Sequence, residues 1–352
     1  MIRYPQCKNG VYPPSDWPLV SEQSCRLSKE KPDVYLKIEH VFGYSVQKSP
    51  NLYYNRNGDV VYFAAGAGVV YDDDGGGDEG LANRQKFFLR HDNDIECLTM
   101  HPLDRDTVAS GQFGVEPTVW IWSSSTRGAP IGSGADAPIC LTLPPGGRKS
   151  GEKGERSVIA CAFSADGEYL TTVSTDEGHT VRVWDWKQQV ELEGMVTNGY
   201  KGEPPAVFGV IWNPYANDLI KYPFATATEG SDRPVDFLTY GIKHMSFWNL
   251  GNGELEKTGT SFGSCTNQDV LHACFLPSGH ILTGGPNGSI TVYNPKDPQG
   301  PAAFYEEKNA HKDRSADYDP RSDDAAHMVI IVKDDAEYSA VVGEVRRKRV
   351  FL

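Results

Sequence analysis

The sequence predicts an all-β chain, a β-propeller of about six units seen in an incomplete ring. Three observations carry the prediction. An apolar phrase recurs four times, a second phrase ending on an aromatic follows each copy, and a short strand of small residues lies between the two. Such internal repeats are the signature of a stacked architecture, in which each unit buries its apolar face only against its neighbours.

The first phrase appears as Ile95 to Pro102, Val158 to Phe163 with Asp166-Gly167 behind it, Val207 to Pro214, and Val270 to Pro277. Each is a short apolar run closed by a turn signal, which reads as a buried strand. The second phrase is Thr118 to Trp122, Thr180 to Asp185, His244 to Asn249 and Ser289 to Asn294. Val181 and Val183 alternate with Arg182 and lead into Trp184, the period of two of a half-buried strand. Val183-Trp184-Asp185 is the Trp-Asp signature of WD repeats. Between the phrases lie Thr107 to Gly111, Tyr169 to Ser174, Phe237 to Gly241 and His280 to Gly285. Three strands in fixed order and a weaker fourth make one propeller blade.

The period is uneven. Trp122 to Trp184 spans 62 residues, Trp184 to Trp248 spans 64, and Trp248 to Tyr293 spans 45. The last is near the usual blade length of roughly 40–45 residues, so the longer gaps are read as loop insertions near 72–80, 126–157, 219–234 and 294–325. The acidic, glycine-rich stretch Asp72 to Gly80 has too little apolar surface to order itself. A sixth unit is sketched by Met328 to Val332, Tyr338 to Gly343 and Arg347 to Leu352. Its unfinished state predicts that further blades of a longer chain, or a partner, close the ring, because an open sheet edge invites aggregation.

Composition removes several function classes. The formal net charge is -13, which opposes broad contact with nucleic acid, where a basic face must displace counterions. There is no run of 18 apolar residues and no signal-peptide core at the start, so no membrane partner is expected. Cys7, Cys25, Cys97, Cys140, Cys161, Cys265 and Cys274 are scattered without a CxxC pair. They read as buried reduced thiols, neither a disulfide scaffold nor a zinc site. His244, His272, His280, His311 and His327 lack metal-ligand spacing, and Asp72-Asp73-Asp74 lacks the spacing of a calcium loop. Asn287-Gly288-Ser289 reads as a strand-joining turn. No GxSxG, P-loop, HExxH or kinase signature is present, and no nucleophile–base pair is evident in the sequence. The reading is therefore of a protein without catalytic, cofactor or metal residues.

The stretch ahead of the repeats is the most specific. Tyr35 to Tyr44, Asn51 to Tyr54, Gly58 to Ala65 and Val69 to Tyr71 strongly resemble the HELP motif of the echinoderm microtubule-associated protein-like family. Tyr12 to Asp16 is similar to that family's lead-in, and His91-Asp92-Asn93-Asp94-Ile95 to the phrase after the motif. The resemblance runs from about Ile2 to Leu352. It implies that the motif folds as part of the propeller, so that residues 1–90 form the motif and first blade and 91–352 the remaining blades. It also implies tubulin or microtubules as partners. From the residues themselves, Val60 to Ala65 is apolar on both alternating faces and reads as an inner strand, with Asn57-Gly58 as a tight hairpin turn.

WD repeats carry a buried network of His, Ser or Thr, Asp and Trp. The resemblance implies that His91, Ser110 and Trp122 are three of its members in one unit, with the turn Asp missing, and that Trp184, Asp185 and Trp248 are structural residues of the next two. Against the acidic background two basic runs stand out as partner-binding candidates: Arg148, Lys149, Lys153 and Arg156 in a loop, and Arg347, Lys348 and Arg349, which follow Arg346 on the last strand. The function expected is a non-enzymatic microtubule-associated scaffold, binding tubulin, microtubules or axonemal proteins in the cytoplasm, cytoskeleton or ciliary axoneme. The alternative is a generic WD-repeat adaptor in another multiprotein complex.

Overall fold

A computed structural model describes residues 38–43, 51–72, 84–114, 117–125, 137–143, 157–176, 179–192, 206–215, 235–251, 254–262, 269–276, 279–285, 289–295, 301–306, 331–333 and 338–341. Every element among them is a β-strand. All the strands fall in one unit, His40–Leu352; of the other, Met1–Glu39, only Ile38 and Glu39 are described.

The strands form five four-stranded antiparallel sheets and one pair, each sheet wound in chain order. The first sheet is β1 (Leu52–Tyr54), β2 (Val60–Ala64), β3 (Ala67–Tyr71) and β4 (Gln85–Phe88). The second is β5 (Ile95–Met100), β6 (Thr107–Gln112), β7 (Thr118–Ser123) and β8 (Ile139–Thr142). The third is β9 (Val158–Phe163), β10 (Tyr169–Ser174), β11 (Val181–Asp185) and β12 (Val190–Glu191). The fourth is β13 (Val207–Trp212), β14 (Phe237–Gly241), β15 (His244–Gly251) and β16 (Glu254–Gly259). The fifth is β17 (His272–Phe275), β18 (Ile281–Gly284), β19 (Ser289–Tyr293) and β20 (Pro301–Glu306). The pair is β21 (Ile331–Lys333) and β22 (Tyr338–Val341).

These are WD-type propeller blades, and their first strands adjoin one another from sheet to sheet: β5 lies beside β9, and β9 beside β13. The core is accordingly divided into layers between consecutive sheets. Val61, Phe63, Val70 and Phe88 of the first sheet meet Leu98, Val108 and Trp122 of the second. Ile121 and Leu141 meet Phe163, Leu170 and Trp184. Val173, Val181 and Val183 meet Val210, Phe237 and Trp248. Leu238, Tyr240 and Phe247 meet Phe275, Ile281 and Tyr293. Alternation along each strand sends one set of side chains to the preceding sheet and the other to the next.

Backbone and side-chain hydrogen bonds cross the same joints. The β2–β3 turn accepts from the start of β5, Ile95 N to Ala65 O at 3.0 Å. Phe113, after β6, forms an isolated bridge with Ser157, before β9. Val270 N donates to Gly241 O at 3.0 Å, joining the fourth sheet to the fifth. Tyr53 OH donates to Leu98 O at 3.2 Å, and Trp212 Nε1 donates to Thr171 Oγ1 at 2.9 Å.

Two sequence expectations are corrected. The strand Val60–Ala64, the second of its sheet, is not fully buried on both faces: Val61 and Phe63 are buried, while Val60, Tyr62 and Ala64 are half-buried. Tyr62 uses that outer side to accept a hydrogen bond from Gln85 Nε2 at 2.9 Å. Finally, two spans read as insertions contain fourth strands, Ile139–Thr142 within 126–157 and Pro301–Glu306 within 294–325. Both strands are brief stretches inside spans dominated by Gly, Pro and charged residues, which is why the spans read as loops. The Asn57-Gly58 hairpin is present, with Gly58 at φ 90° and the Asn55 carboxamide oxygen accepting from Asn57 N and Asp59 N at 2.9 Å each.

Candidate functional site

The most organised polar feature of the described residues ties the connection between β4 and β5 to the second sheet. Trp122 is fixed on β7, opposite Val108 of β6. Its indole Nε1 donates to Ser110 Oγ at 3.0 Å. His91, in the connection between β4 and β5, places Nε2 at 2.7 Å from the same oxygen and Nδ1 at 2.8 Å from Gln112 Oε1. Gln112 Nε2 in turn donates to Asp92 Oδ1. The carboxamide oxygen can only accept, so His91 carries its proton on Nδ1 and accepts a hydrogen bond from the Ser110 hydroxyl at Nε2. The result is a directional chain from Trp122 through Ser110, His91 and Gln112 to Asp92. His91, Ser110 and Trp122 thus meet, and Gln112 occupies the acceptor role left open by the missing turn Asp. Gln112 lies two residues after Ser110 on the same face of β6, which is the signal that points to it.

The Trp-to-hydroxyl bond repeats. Trp184 Nε1 donates to Thr172 Oγ1 at 3.0 Å, and Trp248 Nε1 to Thr239 Oγ1 at 2.9 Å. In all three sheets the hydroxyl residue lies two positions beyond the residue paired with the Trp. In the fourth sheet His244 Nε2 is 2.8 Å from Thr239 Oγ1. Here the histidine arrives from the adjacent strand of the same hairpin, whereas His91 comes from the segment ahead of its sheet. Asp185 is elsewhere: its Oδ1 accepts from Gln188 N at 2.9 Å and shapes the β11–β12 turn.

Ser110 and His91 form a serine–histidine hydrogen bond that was not evident in the sequence. Such a pair is the geometry of an activated nucleophile. Here Ser110 has 0% exposure and its oxygen is also occupied by Trp122, so no substrate carbon can approach it in this fold. Burial holds the His91 pKa down at about 4, against a smaller opposing effect of the Gln112 hydrogen bond. His244 is held at about 3, first by burial and then by the charges of Lys257 and His179. Both rings are neutral in the folded protein at neutral pH. In the unfolded chain they bind protons near the ordinary histidine value of about 6.5. Unfolding therefore takes up protons between about pH 6.5 and 4, and stability falls as pH is lowered through that window. The melting temperature is expected to drop steadily from pH 7 to pH 4.5, and the drop should be shallower in His91→Gln. A pH-independent melting temperature over this range would contradict the neutral-histidine assignment.

Among the described residues no group of three or more His, Cys, Asp or Glu side chains is arranged to hold a metal ion, and no helix is long and apolar enough to cross a membrane. The basic candidates Arg148, Lys149, Lys153, Arg156, Arg347, Lys348 and Arg349 lie outside the described residues.

Comparison with known proteins gives the arrangement its relatives. Residues 31–69 match the HELP motif, and residues 144–185 match the WD domain, G-beta repeat. The ciliary WD repeat-containing protein ctxp80 of Euplotoides octocarinatus is 30% identical over 286 residues, 76% of this chain and 34% of that protein. Human echinoderm microtubule-associated protein-like 3 is 30% identical over 298 residues, 78% of this chain and 29% of its own length. Human echinoderm microtubule-associated protein-like 2 is 27% identical over 288 residues, covering 78% and 37% respectively. The chain thus spans about a third of the length of these curated relatives.

Proposed function

Since this chain is a HELP-motif and WD-repeat protein of the echinoderm microtubule-associated protein-like kind, we propose that it is a non-enzymatic scaffold that binds microtubules or proteins attached to them. The observation that carries the reading is the union of the two motifs in one array. Strands from the HELP region form the first sheet, which packs on the WD-type blade holding His91, Ser110 and Trp122. Over about three quarters of its length this chain is similar to relatives named as microtubule-associated or ciliary. A cytoskeletal or axonemal location goes with that function. The polar network supports it from the other side, since its hydroxyls and histidines are spent on hydrogen bonds that fix strands within their own blades.

Tubulin surfaces are acidic, and so is this chain, at -13. Direct attachment therefore needs local positive charge, and the loop with Arg148, Lys149, Lys153 and Arg156 is the first candidate for it. Co-sedimentation of the full chain with stabilised microtubules across a salt series is the test. Binding is expected to weaken as salt rises, and reversing those four charges to glutamate should reduce the pelleted fraction several-fold at low salt while leaving the melting temperature unchanged. Failure to pellet at any salt, with the protein folded, would exclude direct lattice contact. The adaptor role in another complex would then be the reading to pursue.

A further inference from the structure

Cys97 and Cys161 are 64 residues apart in the sequence, yet their sulfurs are 3.4 Å apart, on the adjoining inner strands β5 and β9. β5 and β9 carry the same kind of register shift near their starts; Cys97 faces forward from β5 and Cys161, one position further along its strand, faces back from β9, so both lie in the layer between the second and third sheets. The Cys97 thiol donates to Val158 O at 3.2 Å, and the Cys161 thiol contacts Ala109 O at 3.8 Å. Gly111 sits against both Cys97 Sγ and Val158, so the missing β carbon lets the two sheets approach closely enough for the sulfurs to meet. Both cysteines are free in the structure and almost wholly buried.

We infer that Cys97 and Cys161 are an oxidisable pair that closes into a disulfide clamp between the second and third blades when the joint opens to a small-molecule disulfide such as oxidised glutathione. One cysteine thiolate attacks a glutathione sulfur, forming a mixed disulfide and releasing one reduced glutathione. The second cysteine then attacks the protein sulfur of that mixed disulfide and releases the second glutathione. Two protein thiols are oxidised, one glutathione disulfide is reduced, and the two protons end on the released thiols. Closure brings the sulfurs from 3.4 Å to about 2.05 Å, a short movement within one packed layer. The hydrogen bond with Cys97, and after it burial, keep the Cys161 thiol protonated, its pKa well above the ordinary value. The closed joint is therefore unreactive, and the reaction reports its opening. Cys140 and Cys274 are more exposed and serve as internal controls.

The full chain is incubated with oxidised glutathione, with and without sub-denaturing urea. Free thiols are then alkylated and the protein is digested for mass mapping. The expected product is a cross-linked peptide pair containing Cys97 and Cys161, formed several-fold faster in urea, together with a melting temperature that rises on oxidation and returns on reduction. Cys161→Ala should lose the link and the rise, and Cys140→Ser should keep both. If the wild-type map shows Cys97 and Cys161 alkylated, separately glutathionylated or linked to other cysteines, the inference is wrong. That map decides the matter even if Cys161→Ala fails to fold.

Discussion

Trp122→Ala is expected to cost about 3–5 kcal/mol of folding stability, the range for removing a large aromatic from a packed core. The ring is 2% exposed and lies parallel to Phe88 at 4.8 Å between centroids, with an interplanar angle of 5°. Its edge fits where Gly68 has no side chain; a β carbon there would press on the indole carbons and on Phe88. Truncation opens a cavity in the layer between the first two sheets. It also removes the donor to Ser110 Oγ, the first link of the chain that runs through His91 and Gln112. Trp122→Phe keeps much of the ring and loses the N–H, so it should cost less, about 1–2 kcal/mol for the hydrogen bond and imperfect fit. Urea unfolding of the two variants separates the contributions. Since a domain of ordinary stability has only about 5–15 kcal/mol in total, the alanine variant should be mostly unfolded at mildly elevated temperature. A cost below about 1 kcal/mol would show that the layer does not depend on this ring.

The second large effect is at Gly241, at the end of β14. Gly241 pairs with Val207 of β13 and with His244 of β15. A β carbon there would run into the carbonyl oxygen of Ala206 and the Cα of Val207. Neither neighbour can retreat easily. Ala206 O accepts from Ile242 N at 2.9 Å, and Gly241 O accepts from Val270 N at 3.0 Å. The clash is with backbone, so no rotamer change relieves it. Gly241→Ala should cost about 3 kcal/mol, the upper end of overpacking penalties, and should loosen both the β13–β14 pairing and the joint to the fifth sheet. Amide hydrogen exchange reads this directly: protection should fall at Val270 as well as along β13. A variant as stable as the parent would mean that the turn has room the structure does not show.

Much of the fold was readable in the sequence because the inner three strands of each blade carry their own marks. Val158 to Phe163, an apolar run closed by Asp166-Gly167, is enough to name its strand, and Val183-Trp184-Asp185 names the blade. The fourth strands were not readable. Val190–Glu191 is two residues long, with an exposed Val190, and Pro301–Glu306 begins on a proline within a span dominated by polar residues. The network followed the same division. His91, Ser110 and Trp122 could be named from the resemblance to WD repeats, whereas His244 could not, because it reaches Thr239 across a hairpin and not from the segment ahead of the blade. The meeting of Cys97 with Cys161 was hidden for a different reason. Within their matching phrases the two cysteines stand one position out of step, so that Cys97 faces forward from β5 and Cys161 back from β9 into the same layer, a meeting that shows only once the sheets are stacked.

The turn after each second strand repeatedly reaches forward to the strand that opens the next sheet, as Ala65 does to Ile95, Phe113 to Ser157 and Gly241 to Val270. Mechanical influence in such an array passes hand to hand. A load placed on one blade is felt first by its two neighbours and fades with each joint it crosses, as in other stacked-repeat proteins. An array built this way can yield at one seam while the remaining blades keep their packing.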